Sequence, residues 1–268
     1  MIVRRLVLIA LSAVSTLTVH ASEGQHSFPE RNQTLPDADP AAVCTAVTTK
    51  VEILTNKLNF PNSVELDDQG NVWVALAGAG HGNPGAEPAI LRLQKSGKHE
   101  TVIQEGGVAP VNDLLWHEQV LYISHRGKIS AYEAGNLRDL VTGLPGKDDH
   151  TNDQIDFGPD KKLCITQGRA TNSGVVGADN KKWVNKHPDF HDLPAETVTF
   201  VDRTFESKSF LDSSEAKAST RAFLPFGETR NDAKAMQGVE KPTACLLRCE
   251  LVGTALEVFA WGCGIRSD

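Results

Sequence analysis

Hydrophobic and polar residues alternate in short runs along most of this chain, and polar turns separate the runs. In residues 149–168 (DHTNDQIDFGPDKKLCITQG), Ile155 and Phe157 alternate with polar residues, residues 158–161 supply turn chemistry, and Leu163 and Ile165 resume the alternation. Alternation on both sides of a turn is typical of a β-hairpin with one buried face. The stretch therefore predicts a hairpin that follows a polar loop carrying His150.

The same hairpin pattern occurs twice earlier in the chain. Residues 60–78 (FPNSVELDDQGNVWVALAG) and 109–127 (APVNDLLWHEQVLYISHRG) each begin with a loop that contains Asn and continue as two apolar runs around a turn. The three copies start about 40 to 50 residues apart, which is the period of propeller blades. A second hairpin pattern follows in residues 90–106, 129–143 and 246–262. Two hairpins per period predict blades of four strands.

The predicted fold is all-β, an incomplete β-propeller that spans residues 51–268. Blade one covers about residues 60–106, blade two 109–146 and blade three 150–262, with a long loop insertion at 171–242 and a leader or cap segment at 22–50. Because known propellers close with about four to eight blades, we expect either a longer natural protein or pairing with another chain. Open strand edges would also predict poor solubility.

The first 21 residues have the pattern of a signal peptide. Arg4 and Arg5 precede an apolar run from Leu6 to Leu17, and Val-His-Ala at 19–21 is a small-x-small cleavage site. The alternative, a membrane anchor, needs about 18 or more apolar residues, and this run is shorter. We therefore expect a periplasmic or secreted protein with no membrane span after cleavage.

Composition excludes several classes of partner. Of the 268 residues, 40% are hydrophobic and 23% are charged, and the net charge of -7 leaves no basic surplus for nucleic acid or anionic lipid. The five cysteines lack CxxC spacing, so no metal site is predicted from them. An oxidising compartment would allow a disulfide, but the sequence does not determine the pairing.

The insertion at 171–242 is too long for an ordinary loop, and it is rich in polar residues. It predicts either a lid over the ligand site or a segment that only covers one face of the blades. Its aromatic residues predict that parts of it pack onto the body; among them are Trp183, Phe190, Phe200, Phe205, Phe223 and Phe226.

Blade topology predicts which polar residues share one face of the propeller. The loops that precede each blade and the loops between its second and third strands lie at the same end of the sheets. The first set of loops holds Asn62, Asn112, His150, Asn152 and Arg266, and the second holds His81, Arg126, Gln167 and Arg169. Such groups could hold a polar or anionic ligand, or they could be ordinary surface residues.

Three blocks of the sequence resemble the glucose/sorbosone dehydrogenase family of quinoprotein propellers. They are DHTNDQIDFGPDKKLCITQGRATNSGVVGADN with WVNKHPDFHDLP after it, LEVFAWGCGIRSD at the end, and FPNSVELDDQGNVWVALAGAG with VLYISHRGKIS in the first two blades. The resemblance covers about residues 55–268, which corresponds to the first half of the family's six-bladed propeller. It implies a sugar dehydrogenase in truncated form, and whether that form is active stays open.

The resemblance also implies roles for two residues. His150 would be the general base that takes the hydroxyl proton of a sugar while hydride passes to pyrroloquinoline quinone (PQQ), and an imidazole suits that role near neutral pH. Arg266 would contact the quinone oxygens of the cofactor. Ser267 and Asp268 replace the Asn-Pro that usually follows this Arg in the family. Calcium is possible in the full-length family, and the electron acceptor is not predicted.

Two further interpretations remain open. The first is a non-catalytic propeller that binds a polar ligand or a protein. The second is a calcium-dependent lactonase-type propeller, which needs carboxylates and asparagines around the axis, and Asn62, Asn112 and Asn152 fit that requirement in part.

Overall fold

The computed structural model describes most of the chain after residue 52. The described residues are 53–56, 58–78, 86–94, 96, 98–104, 107, 109–147, 150–199, 203–211, 217–230 and 235–262. The predicted signal peptide and leader lie outside these ranges, and so do Cys44, His81, Cys263 and Arg266.

Ten strands open the described chain, and six more follow within and after the insertion. The first ten are β1 (Pro61–Leu66), β2 (Val72–Leu76), β3 (Ala89–Leu93), β4 (His99–Ile103), β5 (Val111–His117), β6 (Val120–His125), β7 (Lys128–Glu133), β8 (Asn136–Thr142), β9 (Asn152–Phe157) and β10 (Leu163–Gln167). Helix α1 (Lys181–Lys186) and the short strands β11 (Val198–Thr199), β12 (Phe205–Ser207), β13 (Ala218–Thr220) and β14 (Ala235–Met236) come next. The last two strands are β15 (Cys245–Cys249) and β16 (Glu257–Trp261).

The strands form three four-stranded antiparallel sheets that are arranged as propeller blades. Blade one has the order β1-β2-β3-β4, blade two β5-β6-β7-β8, and blade three β9-β10-β15-β16. The first strands β1, β5 and β9 contact one another in turn, so the sheets succeed one another around a common side. The predicted all-β propeller with four-stranded blades is confirmed, and the described residues supply three such blades.

The turn between β1 and β2 shows how the local sequence sets a hairpin. Asp67 accepts hydrogen bonds from the backbone N–H groups of Gln69 and Asn71 at 3.0 and 2.8 Å, and from the Trp73 indole at 3.1 Å. Gly70 adopts a φ of 77°, which glycine tolerates best. One carboxylate therefore closes the turn and orients a core tryptophan.

Apolar side chains between neighbouring blades form the core. Between blades one and two, Trp73 stacks on Trp116 with ring centroids 5.7 Å apart, above buried aliphatic residues of both sheets. Between blades two and three, Ile129, Ile165 and Leu247 are fully buried. Burial of one such aliphatic side chain contributes about 1.5–3 kcal/mol, so the inter-blade surfaces hold the sheets together.

The insertion between β10 and β15 is folded and has a small core of its own. Val176, Val184, Phe190 and Phe226 are buried together, and Phe210 stacks on Phe226 at 4.0 Å between ring centroids. Strands β11 and β14 pair with each other, as do β12 and β13. The prediction that aromatic residues pack parts of the insertion onto the body holds for Phe223, whose ring centroid lies 6.2 Å from that of Trp261 in β16. Phe190, Phe210 and Phe226 pack mainly within the insertion. Across the described ranges, no helix has the length and apolar character to span a bilayer.

Candidate functional site

The upper face of the blades is the end at which β1, β5 and β9 begin. Because neighbouring strands are antiparallel, the loops that follow β6 and β10 lie at this end as well. The upper face therefore holds the β6–β7 loop (126–127) and the described residues before β9 (143–147 and 150–151). The base of the insertion lies at the same face. His150 lies on it, whereas Arg266 and His81 lie outside the described residues.

Two asparagines predicted for this face connect one blade to the next. Asn62 Nδ2 of blade one donates to the Val111 and Asn112 carbonyl oxygens of blade two at 3.1 and 3.2 Å. Asn112 Nδ2 of blade two donates to Thr151 Oγ1 at 2.9 Å and to the Asn152 carbonyl of blade three at 2.6 Å. The repeated Asn position is thus a repeated connection between blades.

Asn152 points the other way, back into blade two. Its Nδ2 lies 2.9 Å from Ser124 Oγ, 3.1 Å from the His125 carbonyl and 3.0 Å from the Lys128 carbonyl, and its Oδ1 accepts from Gly127 N–H at 2.8 Å. The side chain is fully buried. The suggestion that the three asparagines form a ligand cluster is not supported by these bonds, because their amides hold the blades together.

His150 lies at the end of the segment that leads into β9, and its side chain is exposed. The next residue is fixed: the Thr151 carbonyl accepts from Gly168 N–H at 3.0 Å. A Cβ atom on Gly168 would lie 2.8 Å from the His150 Cβ and would overlap the His150 carbonyl. Only glycine fits there, and the backbone beneath the imidazole is held in place.

Arg126 and Gln167, which were also predicted for this face, tie loops together. Arg126 Nε donates to the Ala109 carbonyl at 2.8 Å and Nη1 to the Gly146 carbonyl at 2.7 Å. The fully buried Gln167 donates to the Pro145 carbonyl at 3.1 Å. Both side chains therefore hold the backbone of residues 145–146 in place.

A cleft of about 660 Å³ opens on the upper face between blade two and the insertion. That volume is typical of small-molecule sites. Leu144, Pro145 and Leu193 give it apolar walls. Its charged lining residues are the four cations Arg126, Lys128, Lys147 and Lys241 and the carboxylate Asp189. His150 does not line the cleft.

Two lysines cross the cleft and join the insertion to the blades. Lys147 forms an ion pair with Asp189, and its hydrogen bond holds the pKa of that carboxyl below the usual value. Lys241 Nζ donates to the Thr142 carbonyl at the end of blade two at 2.8 Å. The mouth of the cleft is therefore bounded by contacts that bridge two parts of the fold.

Asp192 anchors the insertion beneath the cleft. Its carboxylate accepts from the backbone N–H groups of Ala170 and Thr171 at 2.8 and 3.1 Å, and from the hydroxyls of Thr171 and Thr243 at 2.6 and 2.7 Å. These partners stand at the two ends of the insertion, so a single buried carboxylate closes it onto blade three. No local sequence pattern predicts this role of Asp192, because its partners are far from it in the chain.

A buried polar network in blade two was also missed by the sequence analysis. His125 Nε2 lies 2.7 Å from Ser130 Oγ, and that hydroxyl donates to Asp139 at 2.9 Å. Burial lowers the pKa of His125 to about 4, so the imidazole is neutral at physiological pH. His125 and Ser130 are both sealed from solvent, which gives the network a structural role.

The described residues contain no group of three or more His, Cys, Asp or Glu side chains suited to a metal ion. Cys164 and Cys249 are free thiols, and the Cys245 thiol donates to the Pro242 carbonyl at 3.3 Å. Burial raises the pKa of Cys249 to about 11. A buried thiol of that kind is a poor nucleophile.

Comparisons with known proteins give likenesses in fold. No family model matches the chain, and no curated protein matches it. Solved structures similar to it include a PQQ-bound aldose sugar dehydrogenase from Streptomyces coelicolor. The two sequences are 14% identical, the match covers 80% of this chain and 81% of that chain, and the TM-score is 0.36. A glucose dehydrogenase-type oxidoreductase from Thermus thermophilus has 15% identity, covers 78% and 85%, and has a TM-score of 0.35.

Another similar structure is an inactive variant of virginiamycin B lyase from Staphylococcus aureus. Its identity is 20% and its TM-score 0.33, with 42% of this chain covered, and this chain spans only 36% of the lyase. Proteins of different chemistry thus share comparable likenesses, so these comparisons do not select an activity.

Proposed function

We propose that this chain is an exported propeller protein of the sugar dehydrogenase type, with its carbohydrate substrate on the upper face and His150 as the proton acceptor. The proposal is supported by the sequence blocks around His150 and Trp183 that resemble that family. The structural observation that carries it is the exposed His150 side chain above a backbone fixed by Thr151 and Gly168.

An imidazole in this position suits removal of a proton from a sugar hydroxyl. A neutral imidazole accepts a proton near neutral pH, and a solvent-facing ring on a fixed backbone can be reached by a substrate without a change in the loop. The family resemblance assigns the accompanying hydride to PQQ, which supplies a quinone carbon as the hydride acceptor when it is bound.

The described residues do not form a complete site for that quinone. PQQ carries carboxylates, so its site has to place cations and the base around one group. The cations Lys147 and Lys241 line the cleft, but His150 is not part of that lining, and Arg266 lies outside the described residues. The proposed base is therefore not among the residues that line the cleft with these cations.

A second candidate is a non-catalytic propeller that binds a polar ligand. The observation that favours it is the use of the predicted polar residues inside the protein: Asn112, Asn152, Arg126 and Gln167 all bond to loops or neighbouring blades. A face whose polar groups mainly support loops still offers a shaped cleft for binding.

Dye reduction by the full chain separates the two candidates. The protein is incubated with PQQ and calcium, and an aldose such as glucose is added with an artificial electron acceptor. We expect aldose-dependent reduction that His150→Gln lowers by about 100-fold or more, the usual contribution of a general base. His99→Gln, on the exposed strand β4, is the matched control.

Two results would decide against the dehydrogenase. One is the absence of reduction with any aldose while the protein binds sugar in a calorimetric titration, which supports the binding protein instead. The other is equal activity in the wild type and in His150→Gln. Sequencing of the mature N-terminus tests the proposed export, which requires cleavage before Ser22.

A further inference from the structure

The cleft between blade two and the insertion has a charge opposite to that of the whole chain. The protein has a net charge of -7, yet among the described residues four cations and one carboxylate line this cleft. Lys128 pairs at 2.8 Å with Asp139, which is not a lining residue, so the positive excess at the cleft is carried by the other cations. A concave site with one prevailing sign of charge concentrates ligands of the other sign. Its lining therefore selects for anions.

The charge of Lys241 is not neutralised by a carboxylate among the described residues. Its Nζ donates to the Thr142 carbonyl, which is a neutral acceptor, and the bond holds the ammonium at the rim. A lysine ammonium has three donors, so one such bond leaves capacity for an incoming anion.

The pair between Lys147 and Asp189 can be exchanged. The Lys147 side chain is 49% exposed and that of Asp189 is 66% exposed. Exposed ion pairs of this kind contribute little to stability, so a ligand carboxylate can take the place of Asp189 at little cost. Lys147 is therefore a second cation that a ligand can engage.

The walls of the cleft favour a ligand with a hydroxylated carbon chain as well as a charge. Leu144, Pro145 and Leu193 present apolar surface, and Gly127, Gly143 and Gly146 leave backbone without side chains between them. The polyol chain of an aldonate carries C–H groups and hydroxyls, which match apolar walls next to bare peptide groups.

We propose that this cleft is a binding site for the carboxylate of a sugar acid, with Lys147 and Lys241 as its cationic contacts. The site is separate from His150, and it does not rest on the dehydrogenase reaction. Binding there requires neither quinone nor calcium.

Calorimetric titration of the full chain with gluconate, in the absence of quinone and metal, tests the site. Glucose is the uncharged probe, and acetate provides the charge without the polyol. We expect gluconate to bind more tightly than either and to weaken as salt is raised, because salt screens exposed charges. Lys147→Gln and Lys241→Gln should each weaken gluconate binding about fivefold, close to 1 kcal/mol.

Asp189→Asn gives the opposite change and does not depend on the folding of the lysine variants. It removes the competing carboxylate, so gluconate binding should strengthen about threefold. Lys217→Gln is the matched control, since Lys217 pairs with Glu206 away from the cleft. Gluconate that binds no better than glucose, or binding unchanged in all three cleft variants, would overturn the proposal. Dye reduction measures a different property, so its failure would leave this result intact.

Discussion

The carboxylate of Asp192 accepts a hydrogen bond from the hydroxyl of Thr171 at 2.6 Å, and both residues are buried. The same carboxylate accepts from Thr243, 51 residues further along the chain. Thr171 and Thr243 mark where the insertion leaves and rejoins blade three. One side chain thus determines whether the insertion stays docked beside the cleft.

Replacement of Asp192 should loosen the insertion. Asp192→Asn removes one acceptor oxygen and turns an amide N–H₂ toward existing donors, so we expect a loss of about 2–4 kcal/mol in the free energy of unfolding. Urea denaturation measures the loss, and hydrogen exchange at the Ala170 and Thr171 amides should rise with it. The exposed Glu196→Gln, four residues away, is the control and should change stability by less than about 0.5 kcal/mol.

The repeated asparagines should differ in their contribution to stability according to burial. Asn152→Ala leaves several buried acceptors without a donor, and we expect it to cost about 2–3 kcal/mol. Asn62→Ala removes bonds of an exposed residue and should cost about 1 kcal/mol or less. Chemical denaturation of both variants is the measurement. Equal losses would show that burial does not govern these connections.

The fold could be predicted from the sequence because the hairpin pattern repeats. The period of 40 to 50 residues and the alternation around Gly70 and residues 158–161 predict the hairpins, because each hairpin depends on neighbouring residues. The side-chain bonds of the upper face were not predictable. For Asn152 and Arg126 the sequence left open a ligand-binding role or an ordinary surface role. Both side chains bond to backbone carbonyls of distant loops, and such partners cannot be identified from the local pattern.

The cleft could not be predicted from the sequence for the same reason. Lys147 and Lys241 are 94 positions apart in the sequence. They line the same cleft only because the insertion folds back onto blade two. The sequence identified the insertion as a candidate lid, but the positions of its charges depend on its own small core around Phe190.

Gly168→Ala should disturb the loop that carries His150. The added Cβ would overlap backbone atoms of His150, and backbone cannot rotate away as a side chain can. We expect a loss of about 2–4 kcal/mol and shifted amide resonances at His150 and Thr151. Gly135→Ala is the matched control, because its Cβ would meet nothing within 4 Å and its φ of 87° accounts for about 1–2 kcal/mol. An effect of Gly168→Ala no larger than that of Gly135→Ala would contradict the prediction, because the loop would then move aside at a cost of only about 1–2 kcal/mol.

The buried His125 should make the stability of the protein depend on pH between about 6.5 and 4. Burial lowers its folded pKa to about 4, whereas the unfolded chain has the ordinary value of about 6.5. Within that window the unfolded chain binds a proton that the folded protein does not, so stability is complete above pH 6.5 and falls as the pH is lowered. The shift corresponds to about 3 kcal/mol at the lower end.

Urea midpoints measured at several pH values between 7.5 and 4.5 test this dependence. His125→Gln keeps a polar partner for Ser130 but cannot gain a proton, so its stability should fall less steeply with pH than that of the wild type, even if it starts lower. The exposed His99→Gln is the control and should keep the wild-type slope, because it leaves the buried network of His125, Ser130 and Asp139 intact. Carboxylates titrate in both proteins near the acid end, so the difference between the two slopes isolates His125. Identical slopes in His125→Gln and the wild type would mean that this imidazole is charged as readily in the folded protein as in the unfolded chain, and that the network with Ser130 and Asp139 tolerates an imidazolium.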